Sequence, residues 1–307
     1  MDNGVGGEEV MMKSGRDKDK ENKLRHRQNT LRLAACSNLR SEIIASLKEG
    51  KKQLSELRDE LEVSSTTAIH ALRELEKGNL VFQDADRAYT LTTIGEVVAL
   101  KLLDFVSATE VLKKHETFWL EHDLSAIPPS MLAKIGDLNN SVLLTDTPTE
   151  IFKSHTTLTQ VLEDANAVKG IYPVFNLEYL AIIEELVNRK RIDVELIVTN
   201  EVLGSFEGVV ETEEAFKNIL RAPNFTLFAM NADDDIKIAH TLTDTVFYLG
   251  LFAFAGNGNG NGNGNSNSNG LYDPNRALIS EDEKALAWGR ELHAYYRKKS
   301  NLVEPGY

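Results

Sequence analysis

The 307-residue sequence has a single cysteine, Cys36. One thiol excludes an intramolecular disulfide and a cysteine-based zinc site, and the expected role for it is that of a small buried apolar residue. No apolar run approaches the ~20 residues that span a bilayer. The amino-terminal MDNGVGGEEVMMKSGRDKDK lacks the apolar core of a secretory signal. A cytoplasmic protein with no membrane contact is therefore expected. There is no GxxxxGKS/T loop, no GxGxxG after a strand and no HExxH helix, so neither a phosphate cradle nor a catalytic metal is expected, and no cofactor. The acidic stretch Asp233 to Ile236 lacks the additional oxygen ligands of a calcium loop and reads as a solvated turn.

Hydrophobic residues at 42% and charged residues at 26% fit a soluble globular chain, and the length suits two domains. A net charge of −13 argues against a nucleic-acid partner until its distribution is considered. From Lys13 to Lys52 there are twelve Lys or Arg against five Asp or Glu, whereas beyond residue 100 acids outnumber bases thirty to eighteen. Only the front of the chain is expected to meet phosphates.

Residues 1–28 form a polar, basic stretch expected to be a disordered arm. From Leu31 the pattern becomes helical, with Ile43, Ile44 and Leu47 on one face and Gly50 as the stop. Ser55 is the expected cap of a short helix carrying Leu57 and Leu61, and Ser64 caps the next. That next helix buries Ala68, Leu72 and Leu75 and stops at Gly78. LVF and AYTL then read as two strands joined by the polar tip QDADR. A hairpin after a helix-turn-helix is a winged helix, expected over 29–98. A second apolar stripe, Ile94, Val97, Leu102, Phe105, Val106 and Leu112, suggests a connecting or dimerisation helix over 99–130 that ends at Pro128 and Pro129. His115 and His122 are expected to be exposed on it.

The rear, 131–302, alternates between β-branched runs (SVLLTD, GIYPVF, VELIVT) and helical stretches, which implies βαβ units. An α/β domain with a mostly parallel sheet and an antiparallel edge hairpin, IKIAHTL with TVFYLGLFAF, is expected. The Gly/Asn-rich segment 256–270 is expected to be an expanded, disordered hairpin loop between edge strands. A capping box at Ser280 and Glu283 should open the closing helix.

Two groups of candidate residues follow. In a helix-turn-helix the second helix enters the major groove. Ser65, Thr66, Thr67, Ile69, His70 and Arg73 project opposite the buried face, and Arg87 sits at the hairpin tip, so these seven are the DNA-binding candidates. In α/β sheets ligands settle beyond the carboxyl ends of the strands. That places an effector near Thr145, Asp146, Phe175, Asn176, Thr199 and Asn200, with His155, Lys169 and Tyr172 adding a donor, a charge and a ring. No catalytic or metal-binding residue is expected. His240 with Asp244 is the one pairing a phosphodiesterase could use, and Lys237 stands on the wrong side of the histidine for the usual HxK order.

The runs VSSTTAIHALRELEKGNLVFQD and YTLTTIGEVVA resemble winged-helix transcriptional regulators of methanogenic archaea. The rear segments EDANAVKGIYPVF, RIDVELIVTNEVL, TDTVFYLGLF and DPNRALISEDEKALAWGRELHAYYRK are similar to the sensor domain that those regulators carry, named after a filamentation and methanogenesis regulator. The Gly/Asn loop departs from the family, whose members have a short turn there. The resemblance implies a one-component transcription factor, with a rear domain that senses a signal and changes DNA binding by the front. The expected partners are double-stranded DNA, a second copy of the chain, and a small-molecule or protein effector. The rival readings are a phosphodiesterase-like rear domain and a winged helix that binds protein.

Overall fold

A computed structural model describes residues 30–174, 177–207, 216–230, 236–254 and 270–304, and no side-chain statement is made for Leu177, Phe206 or Glu207. The expected arm and the Gly/Asn segment fall outside the described residues, as does the acidic triplet apart from Ile236. The chain divides into two compact units between Val106 and Ser107. Among the described residues no helix is long and apolar enough to cross a membrane.

The first unit contains helix α1 (30–35), α2 (Asn38–Glu49), α3 (Leu54–Glu60), α4 (Ser65–Lys77), strands β1 (Val81–Gln83) and β2 (Tyr89–Leu91), and the start of α5 (Thr93–Lys114). Its core joins Ile43, Ile44 and Leu47 of α2 to Leu57 of α3, Leu72 and Leu75 of α4, and Leu80, Val81 and Leu91 of the wing. The apolar spacing of α4 therefore does what its period implies. Ser64 caps α4, accepting from the Thr67 N–H at 3.1 Å. Ser55 does not cap α3. Gln53 holds that position, and the Glu56 carboxylate reaches back to the Gln53 N–H, satisfying a donor that the helix itself leaves open. Cys36 is exposed rather than buried, because it lies in the bend after α1 and not on a core-facing turn.

The wing pairs antiparallel, Val81 with Leu91 and Gln83 with Tyr89. Lys52 adds a short bridge to Tyr89, so the hairpin is tied to the segment before α3. Of the stripe on α5, Leu102 is buried, but Ile94 (60%), Val97 (58%) and Phe105 (63%) lie exposed.

The second unit adds α6 (Glu116–Glu121), α7 (Pro129–Leu132), β3 (Val142–Thr145), α8 (Lys153–Glu163), β4 (Ala167–Tyr172), α9 (Leu177–Glu185), β5 (Asp193–Val198), α10 (Asn200–Glu207), α11 (216–220), β6 (Phe225–Met230), β7 (Ile238–Thr243), β8 (Phe247–Ala253), β9 (Leu271–Ser280), α12 (Glu283–Arg297) and β10 (Ser300–Leu302). Its eight strands form one mixed sheet in the order β10-β6-β5-β4-β7-β8-β9-β3. The α/β character and the parallel trio β6-β5-β4 are as expected. The antiparallel share is larger than expected, since five of the seven strand pairings are antiparallel. The β7-β8 hairpin sits inside the sheet instead of at its edge, because β9 and β3 extend the sheet beyond it. Pro274 and Asn275 mask β9 in the sequence, as proline is rarely found inside a strand.

Alternation within the strands splits the core in two. Ile171, Ile197, Phe228, Phe247 and Leu278 point to one face, against Phe118, Trp288 and Leu292. Val168, Leu196, Val198, Leu227 and Tyr248 point to the other, against Leu158, Leu162, Ile183 and Ile219. The sheet is thus a middle layer with helices on both sides. Asp282, not Ser280, caps α12, accepting from the Lys284 N–H at 2.9 Å. His115 and His122 are buried rather than exposed, since α5 ends and α6 turns into the first of these cores. The His122 ring bridges the Phe118 carbonyl at 2.7 Å and the Asp273 carboxylate at 3.2 Å.

One close approach governs the first unit. A Cβ on Gly95 would lie 1.9 Å from the Leu80 carbonyl oxygen, a backbone atom that cannot rotate away. Gly95→Ala is expected to destabilise this unit by about 1–3 kcal/mol, the usual cost of overpacking, read as a lower denaturation midpoint; an unchanged midpoint would contradict the packing described.

Candidate functional site

Helix α4 presents Ser65, Thr66, His70 and Arg73 to solvent, while Ile69 is half-buried. No hydrogen bond or ion pair joins the side chains of Ser65, Thr66, His70 or Arg73 to another described residue. Thr67 is exposed too, but its hydroxyl is engaged with Ser64 at 2.8 Å and belongs to the cap. Arg87 sits at the wing tip in the left-handed region, φ 64°, with its side chain exposed. Asp84 shapes that tip by accepting from the backbone N–H groups of Asp86 and Ala88, both at 2.9 Å. These backbone N–H groups and the Lys51 ammonium hold the Asp84 carboxyl below its ordinary value, against its desolvation.

Exposed ion pairs flank this face. Lys51 meets Asp84 and Asp86, Lys52 meets Glu49 and Glu60, and Lys77 meets Glu74. Such exposed pairs add little stability.

In the second unit the expected effector residues do not converge as a group. Asp146 binds the opening turn of α8, accepting from Phe152 N–H and Ser154 N–H, both at 2.9 Å. Thr199 accepts from Val202 N–H at 3.2 Å and starts α10, whose first residue, Asn200, is exposed. Thr145 is an exposed end of β3. Lys169 lies on the opposite sheet face from Tyr172, since residues three apart on a strand point apart. It faces the side where Glu195 binds His293 at 2.8 Å and Arg297 at 3.1 Å. Phe175 and Asn176 fall outside the described residues.

His155 and Tyr172 do come together, at a cavity of ≈ 490 Å³ between the sheet and helices α8 and α9. Tyr179, Tyr248 and Tyr272 complete its wall, with Thr241 at its floor. The His155 ring stacks on Tyr179 with centroids 5.2 Å apart and reaches the Glu178 carboxylate at 3.3 Å. The Tyr172 and Thr241 hydroxyls share a hydrogen bond of 2.8 Å, and Tyr248 is hydrogen-bonded to Tyr272. Burial pushes the phenols of Tyr172 and Tyr272 up to about 12, and it raises Tyr179 and Tyr248 as well.

Small residues create this space. Ala239, Gly250 and Ala277 stand in register on adjacent strands, and Gly170 pairs with Thr241. A Cβ on Gly170 would lie 2.3 Å from the Tyr172 ring, and one on Gly250 would lie 2.9 Å from the Tyr272 ring. Both rings therefore lie across glycines. A glycine inside a strand is the sequence signal of such close approach; Tyr179, Tyr248, Tyr272 and Thr241 line the cavity but do not belong to the residues expected from the strand ends.

The phosphodiesterase pairing is not assembled. His240 is fully buried against Phe247 and His293, and burial holds its pKa near 3. Asp244 binds the Asn166 backbone and side chain, and Lys237 pairs with Asp123.

The raised phenols fix a pH dependence. A folded pKa above the unfolded value means stability that is complete below about pH 10 and lost as pH rises toward 12. An absorbance titration near 295 nm should therefore show a late-ionising class of tyrosines, reduced by one in Tyr172→Phe; a single transition near pH 10 would contradict the burial.

Sequence models of one family match both halves of the chain. That of the N-terminal domain of methanogenesis regulatory protein FilR1 matches residues 28–110, and that of the FilR1 middle domain matches 151–299. Methanogenesis regulatory protein FilR1 of Methanothrix harundinacea (strain 6Ac) is 27% identical over 280 residues, covering 90% of this chain. The chain spans 58% of that relative's length. Among solved structures, TrmBL2, an archaeal chromatin protein, aligns with a TM-score of 0.37 at 15% identity, over 90% of this chain and 99% of its own. NucT from Helicobacter pylori aligns at 0.36 and 14%, over 53% of this chain and 98% of its own.

Proposed function

The chain belongs to the methanogenesis regulatory protein FilR1 family, and from that premise we propose that it is a sequence-specific DNA-binding transcriptional regulator. The observation that carries this reading is the outer face of α4, where two hydroxyls, an imidazole and a guanidinium stand exposed and uncommitted. In a helix-turn-helix that face enters the major groove, hydroxyls bond phosphates or bases, and arginine pairs with guanine. Arg87 on the wing reaches the backbone or minor groove. Residues 29–98 form the DNA-binding part, and 131–302 the part that modulates it through the aromatic cavity.

The regulator works as a homodimer. Ile94, Val97 and Phe105 leave an apolar surface on α5 that water alone does not favour, and a second copy would cover it. A dimer presents two recognition helices to half-sites about 34 Å apart, so the operator is a near-palindrome.

Selection from a random duplex pool should recover such a palindrome. On the recovered site Arg73→Ala is expected to lose about 1–3 kcal/mol of binding if it reads a base. A variant that binds as tightly as the parent would remove Arg73 from the interface. Phe105→Glu should convert the dimer to a monomer by sedimentation; a parent chain that is already monomeric would refute the α5 interface.

A further inference from the structure

The cavity that the proposed function uses has a particular chemistry. Among the described residues no lysine or arginine lines it. The carboxylates nearest to it are already engaged. Glu178 holds His155, and Asp273, next to Tyr272, is bound by His122 at 3.2 Å and Arg276 at 2.7 Å. What remains is a set of tyrosine rings, a threonine hydroxyl, the imidazole of His155 already held by Glu178, the neutral ring of His240, and apolar side chains. Its volume falls within the ~300–1,000 Å³ of small-molecule sites.

We propose that this cavity binds an uncharged small organic molecule that offers a flat apolar body to the tyrosine rings and a hydroxyl or carbonyl group to their phenols. The proposal rests on the regulatory reading only for its consequence; occupancy itself is independent of DNA. An anion entering here would lose its hydration with no cationic side chain to replace it, and a buried unpaired charge costs several kcal/mol. This argues against carboxylates and phosphorylated compounds. An organic cation would gain from the ring faces, but it would find no uncommitted carboxylate to balance it. A neutral molecule meets neither cost. Flat bodies suit the Tyr172 and Tyr272 rings, which lie across Gly170 and Gly250, and the phenols can donate or accept.

Three probes with one body and three charges test this on the full chain without DNA: 2-naphthylmethanol, 2-naphthoate and (2-naphthylmethyl)trimethylammonium, titrated by calorimetry. The alcohol is expected to bind at least about tenfold more tightly than the naphthoate and than the ammonium. Equal or tighter binding of either ion, or no saturable binding of any probe, would overturn the proposal. Location is tested at Leu271, which lines the mouth and is 80% exposed, so that substitution there spares the core. Leu271→Arg should raise naphthoate affinity by at least about threefold by supplying the missing cation, while the alcohol changes little. An unchanged naphthoate affinity would place the probes elsewhere and overturn the assignment. Failure here with intact DNA binding would leave the regulatory reading standing. Probe binding by a chain that ignores DNA would do the reverse.

Discussion

A sheet with helices on both faces must pack both, and in the second unit the two faces are packed in different ways. Towards α12 the strands carry Ile171, Ile197, Phe247 and Leu278, and Trp288 closes over them. On the other face β4, β7, β8 and β9 present Gly170, Ala239, Gly250 and Ala277, which fill almost nothing. Glycine and alanine in strand interiors have little to pack, and natural strands use glycine where another group must approach. Tyrosine rings supply that group. Those of Tyr172 and Tyr272 lie over Gly170 and Gly250 and line an aromatic space that opens at Leu271.

Two-sidedness also separates functions within the unit. The Glu195 carboxylate, met by His293 and Arg297, lies on the α12 face. The Glu195 carboxylate is satisfied by these two contacts, while Nδ1 of the buried His293 ring has no partner among the described residues. The cavity face holds neutral phenols instead. The two chemistries stay apart because side chains alternate along every strand, so neighbouring residues on one strand serve different sites.

Much of the first unit was legible because its signals are local. The hydroxyls before α4, its apolar spacing and the polar tip between β1 and β2 each specify their own element. The caps of α3 and α12 lie two residues from the expected serines, since a serine and a glutamine or aspartate stand with one residue between them at each helix start. In the second unit the predicted strands formed, but their partners are set by long-range pairing that no local pattern encodes. β3 pairs with β9 at the edge, and β9 was hidden by Pro274. Of the expected effector residues, His155 and Tyr172 meet, whereas Asp146 and Thr199 were consumed as helix caps. Lys169 was readable as misplaced, because it stands three residues from Tyr172 on one strand. His115 and His122 were misjudged because burial of a polar ring depends on partners such as Ser141 and Asp273, far away in the chain.

The most direct test of a sequence-reading regulator is anisotropy titration of the full chain against its selected duplex and a scrambled control at several salt concentrations. A regulator predicts tighter binding of the selected duplex by about 10³-fold or more, with affinity for both falling as salt rises. Equal affinity for the two duplexes, or no binding to either, would contradict it.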